Sequence, residues 1–194
     1  MQIIAGKFRG KKLSEYYNET TRPTTARVKE NIFNILAAMG VFSDERPPVV
    51  LDLFAGTGQY GLETISRTAR EVIFNDNDPA ATKVITHNLK TVSCTKNGAV
   101  VFNLPYDKCL EKFINKKFDL VFLDPPYADE TAAPRAINFL RDNAMLADDA
   151  VIVYETETPA LAFSGFTVRQ KKYGRAVVYF LTQANITPHK AQPQ

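Results

Sequence analysis

The sequence predicts one α/β domain, built on a largely parallel sheet and closed by an antiparallel hairpin, with a small basic extension in front. Three observations carry this reading. From Val49 onward, short apolar runs alternate with helical stretches. The last two runs, Phe166 to Lys172 and Ala176 to Thr182, join across Gly174 with no room for a crossover helix, so they must pair antiparallel. The first 40 residues follow neither pattern.

In chain order, Gln2 to Leu13 alternates weakly around Gly6 and Gly10 and reads as a small hairpin. After Pro23, Thr24 or Thr25 is placed to cap a helix whose apolar face is Val28, Ile32, Phe33, Leu36 and Met39, stopped by Gly40. Strands are expected near 49–53, 71–75, 99–103, 118–123 and 150–154, with helices near 59–69, 79–91, 106–115 and 131–142. Such alternation predicts a sheet covered on both faces. A plain dinucleotide-binding Rossmann domain would finish with another parallel strand. Five βα units and a terminal antiparallel hairpin make instead the Rossmann-like, seven-stranded layout of the class I S-adenosylmethionine-dependent methyltransferase fold. The expected division is an extension over 1–40, the main domain over 41–183 and a flexible polar tail over 184–194.

Composition narrows the class further. With 194 residues, 45% of them hydrophobic, the chain can bury one sizeable core but not two. No apolar run reaches the roughly 18 residues of a membrane span, and the charged N-terminus is unlike a signal peptide. A soluble, cytoplasmic monomer is expected. Cys94 and Cys109 form no C-x-x-C pair and His87 and His189 stand alone, so no metal site is expected and both thiols should be reduced and buried. The net charge of +3 hides a split. Residues 1–40 hold seven Lys/Arg against three Asp/Glu, residues 158–194 hold five against none, and the middle holds twelve against eighteen. Basic ends around an acidic centre suit a polyanion-binding surface; a chance asymmetry of solvated charge is the competing account.

Strand one runs into Leu51-Asp52-Leu53-Phe54-Ala55-Gly56-Thr57-Gly58-Gln59-Tyr60-Gly61, where Gly56, Gly58 and Gly61 spell G-x-G-x-x-G between a strand and a helix. Alone, this string accommodates NAD as well as any other adenosine-bearing ligand. The acids discriminate. Asp52 would oppose a pyrophosphate but attract a ligand carrying an ammonium and a sulfonium. Asp76, 20 residues after Gly56, is placed to accept ribose hydroxyls, with Asn77 beside it and Asp78 as a candidate helix cap. Phe54, Ala55 and Thr57 complete the loop. After strand three, Asp107 or Tyr106 is nearest to where adenine would be read, although Asp107 also suits a solvent-facing turn.

The tetrapeptide Asp124-Pro125-Pro126-Tyr127 follows the apolar run Phe118 to Leu123. It is similar to the D/N-P-P-Y/F string of enzymes that methylate amino groups. An exocyclic nucleobase amine is a poor nucleophile because its lone pair is delocalised into the ring. If the Asp124 carboxylate and the Pro125 carbonyl each accept one of its N–H bonds, the nitrogen becomes tetrahedral and its lone pair is aimed. Pro126 stiffens the turn, and Tyr127 is placed to stack on the base.

The opening Ile3-Ile4-Ala5-Gly6-Lys7-Phe8-Arg9-Gly10-Lys11-Lys12-Leu13, the Arg22-Pro23-Thr24 string and the run Arg27 to Leu36 resemble the start of the RsmD family of 16S rRNA (guanine-N2)-methyltransferases. The likeness continues through Leu51 to Glu63, Val121 to Tyr127 and an acidic stretch ending at Glu157. Gln59 and Tyr60 are bulkier than the small residues common at those positions. The resemblance implies S-adenosylmethionine as methyl donor, S-adenosylhomocysteine as product, and N2 of a guanine in 16S rRNA as acceptor, within the small ribosomal subunit or its precursor. Arg9, Arg22, Thr24 and Arg27, helped by Lys7, Lys11 and Lys12, are then the candidates for RNA contact. Glu30 and Asn34 read as plain helix surface, and Lys171, Lys172 and Arg175 as electrostatic help. Two other readings stay open at this point: an amino methyltransferase acting on DNA adenine-N6 or a protein glutamine, and a nucleotide-dependent oxidoreductase.

Overall fold

In the computed structural model, which describes residues 1–16, 26–93, 98–126, 129–159 and 162–184, the apolar runs become seven strands. They are β1 (Val49–Asp52), β2 (Glu71–Asn75), β3 (Ala99–Phe102), β4 (Phe118–Leu123), β5 (Leu146–Thr156), β6 (Phe166–Tyr173) and β7 (Ala176–Gln183). Between and before them lie α1 (Ala26–Ala38), α2 (Gln59–Arg67), α3 (Pro79–Thr91), α4 (Tyr106–Lys112) and α5 (Ala132–Asp142). One sheet of order β3-β2-β1-β4-β5-β7-β6 results, parallel from β3 to β5 and antiparallel through β7 and β6. The order reverses between β1 and β4, and in open sheets of this kind ligands bind outside the carboxyl ends of the strands at that point.

Strand alternation sends one set of side chains to each face. Leu51, Val121, Leu123, Ile152 and Tyr154 pack with Leu110 of α4 and Ile137 of α5. Val50, Phe74, Phe122 and Val153 pack with Leu36 of α1, Leu62 of α2 and Ile85 of α3. Cys109 is buried on the first face, and burial pushes its thiol up to about 12, so it is inert. Cys94 lies outside the described residues.

Three expectations need correction. Met39 is one of the exposed large side chains of the protein, and the buried face of α1 is Lys29, Ile32, Phe33 and Leu36. An ion pair explains the buried lysine, since Lys29 reaches the fully buried Glu63 at 3.6 Å and donates to the Gln2 carbonyl at 2.8 Å, while Met39 falls just past the end of α1 at Ala38. β5 is longer than its apolar run because Leu146–Asp149 continues it past a register shift opposite Phe118 and Leu120, with Asp148 and Asp149 exposed. α4 ends at Lys112, earlier than expected.

The N-terminal segment turns back through the single Gln2–Lys12 bridge and is held on α2 by its own backbone. Glu63 accepts from the amides of Ile4 (2.8 Å) and Ala5 (3.0 Å), and also from Arg67 (3.1 Å). Ser66 donates to the Ala5 carbonyl and accepts from the Phe8 amide, while its own carbonyl accepts from Lys7 N–H. At Gly6, where φ is +80°, a Cβ would sit 1.8 Å from the Ser66 carbonyl oxygen, so only glycine permits this approach.

Candidate active site

Four acids lie at, or within one residue of, the carboxyl ends of four strands. Phe74, Phe122 and Val153 belong to the face shared with α2, so Asp76, Asp124 and Glu155, each two residues further along, point the same way. Asp52 joins them, because its neighbour Leu51 faces the other side. In sheet order these acids lie at the ends of β2, β1, β4 and β5.

Hydrogen bonds fix the first two. The Asp52 carboxylate, 2% exposed, accepts from Gly61 N–H at 2.9 Å. Burial raises its pKa to about 7, against the pull of that bond and with added repulsion from Asp76. Asp76 accepts from the Gly56 amide at 2.7 Å through one oxygen and from the Asp78 amide at 2.9 Å through the other. Burial again moves its pKa upward. Asp78 caps α3 by accepting from Ala80 N–H, as the sequence suggested. Asn77 beside it is exposed.

Around this carboxylate pair, the glycine loop has space on its outer side and none on its inner side. A Cβ added at Gly56 (φ +53°) would meet nothing within 4 Å, whereas one at Gly61 would lie 2.2 Å from the Phe74 ring. Gly61 therefore lets α2 close onto β2, while Gly56 keeps the backbone open to a ligand. Ala55 and Gly58 are buried, and Phe54 and Thr57 are half-buried. Phe54 packs against Tyr106, ring centroids 5.5 Å apart, while Asp107 is exposed in the first turn of α4. This cradle fits an adenosyl ligand carrying positive charge: burial raises the pKa of both acids on its floor, and a cation arriving beside them would favour their charged forms.

Asp124 keeps a partly exposed edge although protein crowds it on its other sides. Burial first, then repulsion from Glu155 and Asp52, pushes its carboxyl well above the usual range. Pro125 is half-buried and Pro126 exposed; the Pro126 carbonyl accepts from Asp129 N–H, and Asp129 accepts from the amide and hydroxyl of Thr131, which closes the turn into α5. Tyr127 lies outside the described residues.

Of the proposed RNA contacts, Lys7, Arg9, Lys11, Lys12 and Arg27 are exposed, as are Glu30 and Asn34; Arg22 and Thr24 lie outside the described residues. The Lys7 ammonium sits over the Phe8 ring at 4.9 Å.

Sequence reading missed three side chains. Tyr60 stacks on Phe122 with centroids 4.8 Å apart and planes 4° from parallel, and its hydroxyl donates to Glu155 at 2.6 Å. Glu155 itself is only 9% exposed. Asn88, fully buried in α3, exchanges hydrogen bonds with the Ser14 backbone and donates to the Thr57 carbonyl, so it touches both the N-terminal segment and the glycine loop. The bulk of Tyr60 was the visible signal for the first pair. Asn88 left none.

Comparison with known proteins gives the family. A family model described as "Conserved hypothetical protein 95" matches residues 1–182. A Haemophilus influenzae protein named Ribosomal RNA small subunit methyltransferase D is 37% identical over 94% of this chain and 93% of its own length. The chain belongs to the RsmD family. Its fold follows suit: a solved Escherichia coli chain, 33% identical, superposes with a TM-score of 0.81 over 94% of the RsmD-family chain and 97% of its own. At 14% identity the same fold extends to a SAM-dependent methyltransferase from Agrobacterium tumefaciens, with a TM-score of 0.61 over 89% of this chain and 66% of that one.

Proposed function

We propose that this chain transfers a methyl group from S-adenosylmethionine to the exocyclic N2 of a guanine in 16S rRNA, in a small-subunit particle or its precursor. The carrying observation is the Asp124-Pro125-Pro126 turn at the end of β4, beside the glycine loop at the point where strand order reverses. Membership of a family whose curated relatives are named as small-subunit rRNA methyltransferases supports the substrate.

When bound, the cofactor supplies a methyl group on a cationic sulfonium, open to in-line attack. Asp52 and Asp76 favour that cation, and Asp76 adds acceptor oxygens for ribose hydroxyls beyond the two amides it already holds. Phe54, Ala55, Gly56, Thr57, Gly58, Asn77 and Asp107 line the adenosyl region, and Gly61 supports the loop from its inner side, where it packs on Phe74. Asp124 and the Pro125 carbonyl accept the two amine N–H bonds and aim the nitrogen lone pair at the methyl carbon. Positive charge gathering on that amine nitrogen during transfer would be stabilised by these two acceptors more than the neutral amine of the ground state is. A carboxyl with a raised pKa is also suited to take up the surplus amine proton. Tyr127 stacks on the base. Residues 1–40 form the RNA-docking unit and 41–183 the methyltransferase domain, with Lys7, Arg9, Lys11, Arg22, Thr24 and Arg27 on the RNA side.

The test is methyl transfer in vitro to small-subunit RNA from cells lacking the gene, followed by nuclease digestion and mass spectrometry. N2-methylguanosine is expected. Transfer confined to another nucleotide, or to protein, would replace the reading.

A further inference from the structure

Among the described residues, α3 is the one helix without an aspartate or glutamate. It stands in a stretch, 41–157, that as a whole carries twelve Lys/Arg against eighteen Asp/Glu. A helix face that is merely solvated gains from mixing the two signs three and four residues apart. On the opposite side of the sheet α4 does so, pairing Lys108 with Glu111, and Arg141 of α5 pairs with Asp142. α3 does not.

Its buried side, Ile85 and Leu89, shares a core with Leu62 of α2 and Leu13 of the N-terminal segment. Lys83, Thr86, His87 and Lys90 come out on the other side, spaced so that they share one face, and all four are exposed. With Thr82 they line a shallow groove of about 240 Å³. The hydroxyls of Thr82 and Thr86 donate to the carbonyls of Pro79 and Thr82, so the donors left for a ligand are the two ammonium groups and the His87 ring. Neither lysine is paired with an acid among the described residues, and seven residues of helix rise set them about 10 Å apart. That is a ladder of donors for an extended anion. Asn88, next to His87, exchanges hydrogen bonds with the Ser14 backbone, which seats the end of the basic segment on α3, with Lys11 and Lys12 three and two residues before that contact.

We propose that Lys83, His87 and Lys90 on α3 contact the phosphate backbone of the rRNA substrate, so that the RNA-binding surface extends from the N-terminal segment across α3. The inference rests on the RNA substrate of the proposed reaction and adds an element to its docking surface. Phosphate contacts position a strand without reading its sequence, so these residues set affinity and orientation and leave the choice of base to the site.

The test is binding to small-subunit particles from cells lacking the gene, followed across a salt titration. Lys83→Gln with Lys90→Gln is compared with Lys108→Gln and Arg135→Gln, which remove the same charge from α4 and α5 on the opposite side of the sheet. The α3 pair should lower the salt slope by about 0.7–0.9 per lost phosphate contact, and the control pair should leave it at the wild-type value. His87→Ala should weaken binding severalfold. S-adenosylhomocysteine affinity and thermal stability should hold in all of them, which separates docking from folding. A photo-crosslinking residue, p-benzoylphenylalanine, placed at Thr86 should couple to 16S rRNA, whereas at the exposed Asn138 of α5 it should not. A wild-type slope in the α3 pair, an equal drop in the control pair, or a crosslink from position 86 to a ribosomal protein in place of RNA overturns the inference and leaves rRNA methylation standing. Wild-type enzyme that binds S-adenosylmethionine but no ribosomal RNA overturns both.

Discussion

The carboxyl edge of the sheet and the N-terminal segment hold charge in opposite ways. At the edge, Asp52, Asp76, Asp124 and Glu155 are turned inward, and the surroundings raise the pKa of the first three. On the segment, Lys7, Arg9, Lys11 and Lys12 face solvent. Buried charges are costly, fixed in direction and tuned by their neighbours; exposed ones are cheap, mobile and screened by salt. Chemistry at one nitrogen needs the former, and attraction of a long polyanion needs only the latter. Where Lys29 of the N-terminal region is buried, it is paired with Glu63 of α2, which also holds Arg67, and there charge serves attachment.

The largest expected effect falls on that attachment. Glu63→Ala leaves Lys29 buried without its anion and strips the amides of Ile4 and Ala5 of their acceptor, so chemical denaturation should show a loss of about 3–5 kcal/mol. A loss under about 1 kcal/mol would mean that the segment rests on its apolar contacts, Ile3 and Leu13, instead.

Next comes the pH dependence of the acid edge. Asp52 ionises near 3.8 when unfolded and at about 7 when folded, so the folded state holds a proton that the unfolded chain has released. Its contribution to stability is therefore lost as pH rises across that window, by up to about 4 kcal/mol. Asp52→Asn, which retains an acceptor for Gly61 N–H, should flatten this decline and be the more stable protein at pH 8, yet bind S-adenosylmethionine more weakly. Parallel stability profiles in urea for the two proteins would refute the account.

Asp124→Ala separates chemistry from binding. Methyl transfer in single-turnover experiments should fall by about 10²-fold, with cofactor affinity by calorimetry close to wild type. The smallest effect belongs to the surface: changing Arg9 and Arg27 together to Ala should lower the salt dependence of RNA binding by a slope of about 0.7–0.9 per lost phosphate contact and leave thermal stability unchanged. An unaltered slope would move the docking surface to the basic strand β6, where Arg169, Lys171 and Lys172 are exposed.

Repetitive features were legible in the sequence and pairwise ones were not. Strand positions followed from apolar runs, and the antiparallel end from the short connection at Gly174, because alternation and connection length are local properties. The glycine loop and Asp78 cap are equally local, and the structure has them where they were expected. The face of α1 was misjudged by one ion pair: Lys29 looks like solvent-facing charge until Glu63, 34 residues later, is known to be buried against it. Glu155 and Tyr60 are 95 residues apart, and Asn88 reaches back 74 residues to Ser14. Neither contact leaves a periodic trace. The adenine side of the loop stayed indistinct because Tyr106 and Asp107 open a short helix with no sharp motif.

Gly6 and the bonds around it bear on how this surface can change. The segment is attached through main-chain groups of residues 4, 5, 7 and 8, and through the partners Glu63 and Ser66 on α2. The side chains of Lys7, Arg9 and Lys11 take no part in that attachment. Substitution can therefore rewrite the outward chemistry of the segment residue by residue without loosening its mooring, whereas Gly6 tolerates no Cβ at all. The segment is in this sense an interchangeable face on a fixed mount, and a library varied at positions 7, 9, 11 and 12 with Gly6, Glu63 and Ser66 held constant would sample new docking preferences from folded proteins.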